Sequence, residues 1–403
     1  MSTLNEYEVF TLIRPQTSRT TIGAASLVEL DLRKGGLNYN PSKVKEDLDS
    51  EHRYRGTKFS TFTQRNGEAG TLGMWFFPLS VGTLINGVLS ETNGTVTYHE
   101  IQHFWDSDLG GSQDDGIQLV GCVFNGFSFA IERGNTGSAV EVDFEFYQNA
   151  FEGLADGSAP GSFDGSTINP YATTDAYIDF RGDNLTDTWG GDNPAVRRLS
   201  VQYSNDIELR NFRSGAGRLN RTWTDHLVRN PTLTVEIEVE VDDDKYLQYS
   251  EGDSLIEGSL RLAFRHPDAD VNTTSTDVIT VASSGVNTFT VLSATGLAVG
   301  DIVFLYHPTT EFFATFPIDA IATNDLDFDL AVSPSYVAMD GASGGPIVVE
   351  NRAFGLIIPR MTLGATTAPL PNGSVRTVTL TYSGSLAVGE TALMTAHAKN
   401  DVP

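Results

Sequence analysis

Hydrophobic and polar positions alternate with period two along much of the chain, and the order of the alternating segments is repeated. Val28-Glu29-Leu30-Asp31-Leu32 is the first such segment and leads into a long polar loop. An apolar run follows, Leu72-Gly73-Met74-Trp75-Phe76-Phe77, and passes through Pro78 into Val81, Leu84, Ile85 and Val88 at helical spacing. Proline fits the first helical turn, where an N–H has no intrahelical partner in any case. Two strands close the unit: Cys122 to Ile131, then Val140, Val142, Phe144 and Phe146 facing one way with Glu141, Asp143 and Glu145 facing the other.

The second half repeats this order. Leu199, Val201 and Tyr203 precede a long loop, and Leu233, Val235, Ile237, Val239 and Val241 alternate strictly. A short helix is expected around Tyr246, Leu247 and Tyr249, and Phe354 to Leu363 with Val378, Leu380 and Tyr382 forms the closing pair. Between them, from about Asp270 to Glu350, the texture changes. Short strands are expected at Asp277 to Val281, Thr288 to Leu292 and Asp301 to Tyr306, between Ser/Gly/Asn turns with very few basic residues. The pattern predicts a mainly β protein of two tandem modules, each with a flanking helix, and an inserted small β domain. The boundaries are 1–165 for the first module, 166–269 with 351–403 for the second, and 270–350 for the insert.

A chain of 403 residues, 40% apolar and with 39 glycines, has room for these cores. Its single cysteine, Cys122, lies in a predicted strand, which excludes an intramolecular disulfide and points to a buried small hydrophobe. No stretch approaches a membrane span in length, and the start lacks the basic and apolar regions of a signal peptide, so synthesis in a cytoplasm is expected.

Charge makes the repeat more specific. The net charge is -26, which disfavours direct attraction to nucleic-acid phosphates. Half of the basic residues nevertheless fall in the two long loops, 33–65 and 204–229, among them Arg53, Arg55, Lys58, Arg210, Arg213 and Arg218. Cationic loops on an anionic body suit contacts between identical subunits, where loops of one layer meet the acidic surface of the next; solvated loops are the plainer reading. Glu236, Glu238 and Glu240 share one face of a strand, with Asp242, Asp243 and Asp244 at its end. Such a face is either a solvated sheet surface or the wall of a wide aqueous pore past which a polyanion slides without sticking.

The order Leu72 to Phe77, helix to Leu89, strand Gly121 to Phe129 and strand Glu141 to Tyr147 resembles the tail tube proteins of long-tailed, siphovirus-like phages and related tailed viruses. The resemblance implies β-sandwich modules flanked by a helix, with a long loop that contacts the next ring. It is closest to the duplicated subgroup, in which three two-module chains form a ring of pseudo-sixfold symmetry. It further implies a structural virion protein of the tail, self-assembling into stacked rings whose acidic channel conducts DNA during ejection. Partners would be further copies of the chain, terminator and tip proteins, and transiently the viral DNA, with no membrane and no cofactor. Glu236, Glu238 and Glu240 would line the channel, the six loop cations would stack rings, and the insert would decorate the outside.

Short enzyme-like motifs were weighed against this. His99-Glu100-Ile101-Gln102-His103 matches H-E-x-x-H, which binds zinc when a helix sets the histidines on one face. Thr95-Val96-Thr97-Tyr98 reads as a strand running into the motif, where that spacing fails. Gly341-Ala342-Ser343-Gly344-Gly345-Pro346 resembles a serine-protease nucleophile loop but has only His307 as a nearby base. Gly252-Asp253-Ser254-Leu255 sits in an all-β pattern rather than after the first strand of an α/β fold, and Arg181-Gly182-Asp183 is too short to carry weight. No catalytic, metal or cofactor residue is expected. The alternatives are a zinc-dependent hydrolase at His99, Glu100 and His103, or another tail or virion β protein.

Overall fold

Alternation in the sequence becomes alternation in burial. Along Thr232–Glu240 the odd positions Leu233, Val235, Ile237 and Val239 enter the core, while the threonines and glutamates between them face outward. A strand repeats every two residues, so one face is apolar and the other polar. A computed structural model of the chain describes residues 10–21, 25–39, 43–48, 59–65, 68–92, 97–105, 115–132, 138–154, 169–182, 196–210, 225–240, 255–267, 288–291, 293–307, 312–328, 348–350, 353–367, 377–386 and 392–400.

The first half contains β1 (Phe10–Gln16), β2 (Val28–Leu30), β3 (Leu32–Tyr39), β4 (Lys43–Leu48), β5 (Phe59–Arg65), β6 (Glu68–Trp75), α1 (Pro78–Thr92), β7 (Tyr98–Trp105), β8 (Asp115–Glu132), β9 (Glu141–Gln148) and β10 (Ala150–Leu154). The second half contains β11 (Ala176–Arg181), β12 (Val196–Ser204), β13 (Ile207–Arg210), β14 (Asp225–Val228), β15 (Thr232–Glu240) and β16 (Glu257–Phe264). There follow β17 (Thr288–Thr290), β18 (Ile302–His307), β19 (Phe312–Ala322), β20 (Asp325–Phe328) and β21 (Val348–Glu350), then β22 (Phe354–Thr367), β23 (Thr377–Gly384) and β24 (Thr395–His397).

One antiparallel sheet runs through both halves in the order β3-β6-β9-β8-β12-β15-β23-β22. Its two long strands branch. The N-terminal part of β8 pairs with β7 and β10, and its C-terminal part with β9 and β12. The N-terminal part of β22 pairs with β16 and β24, and its C-terminal part with β23. Gly121, with φ +68°, and a bulge at Asn125 let β8 change partners midway. Farther along, a Cβ at Gly126 would lie 2.2 Å from the Tyr203 carbonyl oxygen, so only glycine allows β12 this close.

Beneath the polar face, a single core gathers residues of the sheet, its branches and α1. Pro78 opens the helix as expected, and Leu79, Val81, Leu84, Ile85 and Val88 are buried. Gly82 and Gly87 cost about 1 kcal/mol each relative to alanine in a helix interior. Their lack of a side chain admits the Lys399–Asn400 backbone at Gly82 and the rings of His99 and Phe124 at Gly87. Phe76 joins the halves: its ring meets Phe354 edge-on at 5.0 Å and Phe264 at 6.0 Å, with Tyr171 at 5.4 Å.

Several sequence expectations change here. The segment Val28 to Leu32 is split, since β2 pairs with β1 while β3 pairs with β6. Asp31 lies between them and gives its carbonyl to the Trp75 N–H. The two long loops carry strands: β3 and the β4–β5 pair in one, and the β13–β14 pair in the other. Polar sequence misled because these short ribbons carry no long period-two apolar stripe to reveal them. The second expected helix, at Tyr246 to Tyr249, and the strand Asp277 to Val281 lie outside the described residues.

Strands β17 to β21 form a separate five-stranded sheet, ordered β17-β20-β19-β18-β21, around Val303, Leu305, Phe316, Leu326 and Phe328. It rests on the large sheet through Ile302, Phe304 and Phe313 against Ala263 and Ala353. A Cβ at Gly355 would lie 1.9 Å from Thr315 Oγ1, and that hydroxyl is 3.1 Å from His397 Nδ1. This five-stranded sheet is held by packing as well as by its chain connections.

Candidate functional site

The outward face of the eight-stranded run is mostly polar among the described residues. On β15, Glu236 is exposed and Glu238 and Glu240 are half-buried, all opposite the core residues of the same strand. Register sets Glu236 between Ser200 and Thr381, and Glu238 between Arg198 and Thr379. Arg197 donates from Nε to Glu240. On its other side, Arg198 of β12 lies opposite Glu132 of the adjacent β8. On β9, Glu141, Asp143 and Glu145 are exposed, and Arg33 of β3 bridges Glu141 and Asp143 with its two terminal nitrogens. Among the described residues this face carries seven carboxylates and the guanidinium groups of Arg33, Arg197 and Arg198. It therefore remains anionic after pairing. A depression of about 630 Å³ in it is lined by Trp75, Glu132, Glu141, Asp143, Arg198 and Ser200, among others.

The outward carboxylates of β9 were legible in the same alternation as those of β15, but the sequence reading tied only β15 to a channel. Arg33 is a correction: it was counted among loop cations and belongs to the sheet face. Of the six cations expected to stack rings, Arg53, Arg55, Lys58, Arg213 and Arg218 lie outside the described residues. Arg210 ends β13, 3.9 Å from Glu208, which also accepts from Arg229.

The stem of the β13–β14 hairpin lies against the first half. Ile207 packs with Val123, and Tyr98, Tyr147, Leu209 and Val228 surround them. At its root, Asn125 accepts the Asn205 N–H on its carbonyl at 2.7 Å and the Ile207 N–H on its side chain at 3.1 Å. Fully buried Asn205 donates to the Val88 carbonyl of α1 at 2.7 Å and accepts from the Tyr203 hydroxyl. Sequence pattern missed this lock, because two asparagines 80 positions apart carry no local signal.

The H-E-x-x-H motif does not take the helical geometry that a shared metal requires. His99 to His103 lie on β7, as expected from the β-branched approach. His99 stacks edge-on to Phe124 at 5.1 Å, and His103 Nδ1 is 2.7 Å from Thr11 Oγ1. Four residues of strand separate them by roughly 13 Å, too far to share a metal. The Glu100 carboxylate is engaged by Arg14 Nε at 2.7 Å and by the amides of Gln102 and Gln118. Among the described residues no group of three His, Cys, Asp or Glu side chains is arranged to hold a metal. Burial pushes His99 down to about 4, with a smaller opposing effect from the Thr97 backbone. The Cys122 thiol is fully buried, and desolvation, with Glu100 nearby, raises it far above the ordinary range. Arg181 and Gly182 are buried, and Asp183, Gly252 to Ser254 and Gly341 to Pro346 lie outside the described residues.

None of the described helices is long and apolar enough to cross a membrane. A scan of protein families finds no matching family model, and a search of curated proteins finds no match.

Proposed function

We propose that the chain is a two-module tail tube protein of a long-tailed virus, which acts by assembling into stacked rings around an acidic channel. The observation that carries this reading is a repeat in strand order and in register. The runs β3-β6-β9-β8 and β12-β15-β23-β22 follow one topology, with first strand, second, fourth, third in chain order. Their branches also correspond, β1-β7 to β11-β16 and β10 to β24. Bulges recur at matching places. Asn125 in β8 matches Gly364 in β22, each facing the following strand, and the extra residue of β8 opposite Glu100 of β7 matches that of β22 opposite Ser259 of β16. Independent folds rarely share two bulge positions as well as one strand order, whereas duplicated modules inherit them.

The pairing of β8 with β12 then supplies a rule for assembly. It joins the third strand of one module to the first strand of the next. Among the described residues, β3 pairs with β6 alone, and the Gly364–Thr367 stretch of β22 with β23 alone. Repeating the internal junction between copies joins these two edges head to tail, which closes a ring if the rotation closes. Three chains would give a barrel of eight strands each. With about 4.8 Å between strands and a tilt near 40°, its backbone diameter is roughly 48 Å, whereas two chains give about 32 Å. After side chains, only the larger barrel clears a hydrated DNA duplex of about 20 Å. The anionic face turned inward repels phosphates at short range and keeps DNA moving.

In this reading the chain resides in the virion tail, needs no cofactor and catalyses nothing. The five-stranded unit is an insert at the β16–β22 turn, the position of the β7–β8 turn in the first module. Electron microscopy of purified protein tests the reading: hollow, regularly striated tubes are expected, and compact monomers at every concentration would overturn it.

A further inference from the structure

The register that relates the halves also relates their surfaces. In the first half Tyr98, Val123 and Tyr147 lie under the β13–β14 stem, and the His226 ring meets Tyr98 edge-on at 6.0 Å. Matching the bulges carries Tyr98 onto Glu257, Val123 onto Thr362 and Tyr147 onto Ser383. No hairpin of the described residues covers this second surface. Ser383 is exposed, and Leu255 and Leu386 are 71% and 53% exposed, two of four large exposed hydrophobics among the described residues. Both leucines are fixed there by backbone bonds one residue away, from Leu363 N–H to the Ile256 carbonyl and from Ser385 N–H to the Arg360 carbonyl.

We propose that the surface of Leu255, Glu257, Arg360, Thr362, Ser383 and Leu386 receives the stem of the β4–β5 hairpin from a second copy of the chain. The proposal rests on the tube reading and adds the contact that seats one chain on the next within a ring. The hairpin β4–β5 occupies in the first half the place of β13–β14 in the second, between the first and second strands of its module. Its base is cationic, with Lys43 paired opposite Arg65 and Lys45 beside them. The residues that precede Leu255 in the sequence are acidic, Glu251-Gly252-Asp253, and Glu257 is held on the receiving surface by Arg360. Charge and apolar area are thus complementary, as contacts between copies require.

The two junctions are built to different strengths. Inside the chain, Asn125 anchors the neighbouring hairpin with its side chain. Its counterpart between chains is Gly364, which has no side chain to offer. The internal junction therefore forms with the fold, and the one between chains remains dependent on concentration.

Sedimentation of the full chain over a concentration series tests this with L255E/L386E and, as a control, V299E on the five-stranded unit, where Val299 is 60% exposed. The parent and V299E are expected to assemble alike, and the double variant to need about tenfold more protein or to stay monomeric with an unchanged melting profile. If the double variant melts early, L386E alone takes its place. Equal assembly of parent and variant would overturn the docking surface and leave the tube reading standing. A parent that is monomeric throughout would overturn both.

Discussion

Asn125 satisfies backbone and side-chain partners from both halves at once, so its loss cannot be repaired locally. Asn125→Ala strands the Ile207 N–H, and Asn205→Ala strands the Val88 carbonyl; each is expected to cost about 1–3 kcal/mol in chemical denaturation, against near-silence for the exposed Gln202→Ala. His99 and His397 supply a pH dependence. Burial lowers each from 6.5 to about 4. The folded chain therefore binds fewer protons than the unfolded chain between those values. Their stabilisation is complete above about pH 6.5 and is lost as pH falls toward 4, by roughly 3 kcal/mol for each residue. His397→Gln should flatten the acid limb of a stability profile, and an unchanged limb would contradict the assignment. On the polar face, replacing Glu236, Glu238 and Glu240 with glutamine is expected to leave tubes intact and impair DNA delivery. Normal infectivity of a virus carrying the change would remove these residues from the channel wall.

At the scale of elements, β8 is the strand on which the two halves depend. Gly126→Ala forces a Cβ against the Tyr203 carbonyl and is expected to weaken the β8–β12 pairing, whereas Gly153→Ala meets open space and should be neutral; hydrogen exchange at β12 would separate them. Phe76→Ala removes the ring that binds both halves and should cost about 3–5 kcal/mol. Much of this level was legible in the sequence. Strict alternation in Leu233 to Val241 and Val140 to Phe146, and Pro78 before Val81, Leu84, Ile85 and Val88, each match a single periodicity, and the elements lie where it sets them. The ribbons β4–β5 and β13–β14 were read as loops, because their polar residues show no periodic contrast. Nor could any local pattern reveal that Arg33 reaches Glu141 and Asp143, more than 100 positions away. Pairing partners are a property of the sheet, and only the repeated bulges record them.

At the scale of the molecule, the two halves are one continuous sheet whose described strands end at β3 on one side and at the C-terminal part of β22 on the other, and the five-stranded unit is mounted on it through a buried seat. That unit and its connections, 270–350, contain ten acidic residues and no lysine or arginine, so it adds negative charge without adding cations for ring contacts. Its removal, joining the β16 and β22 strands by a short turn, is therefore expected to leave tube formation intact and narrow the tube's outer diameter in micrographs. The central claim is that duplicated modules let three chains do the work of six. Averaged end-on views of tubes by cryo-electron microscopy test it most directly: the account predicts a threefold ring with six similar inner modules and three outer projections, and a ring of six whole chains, or no closed ring, would contradict it.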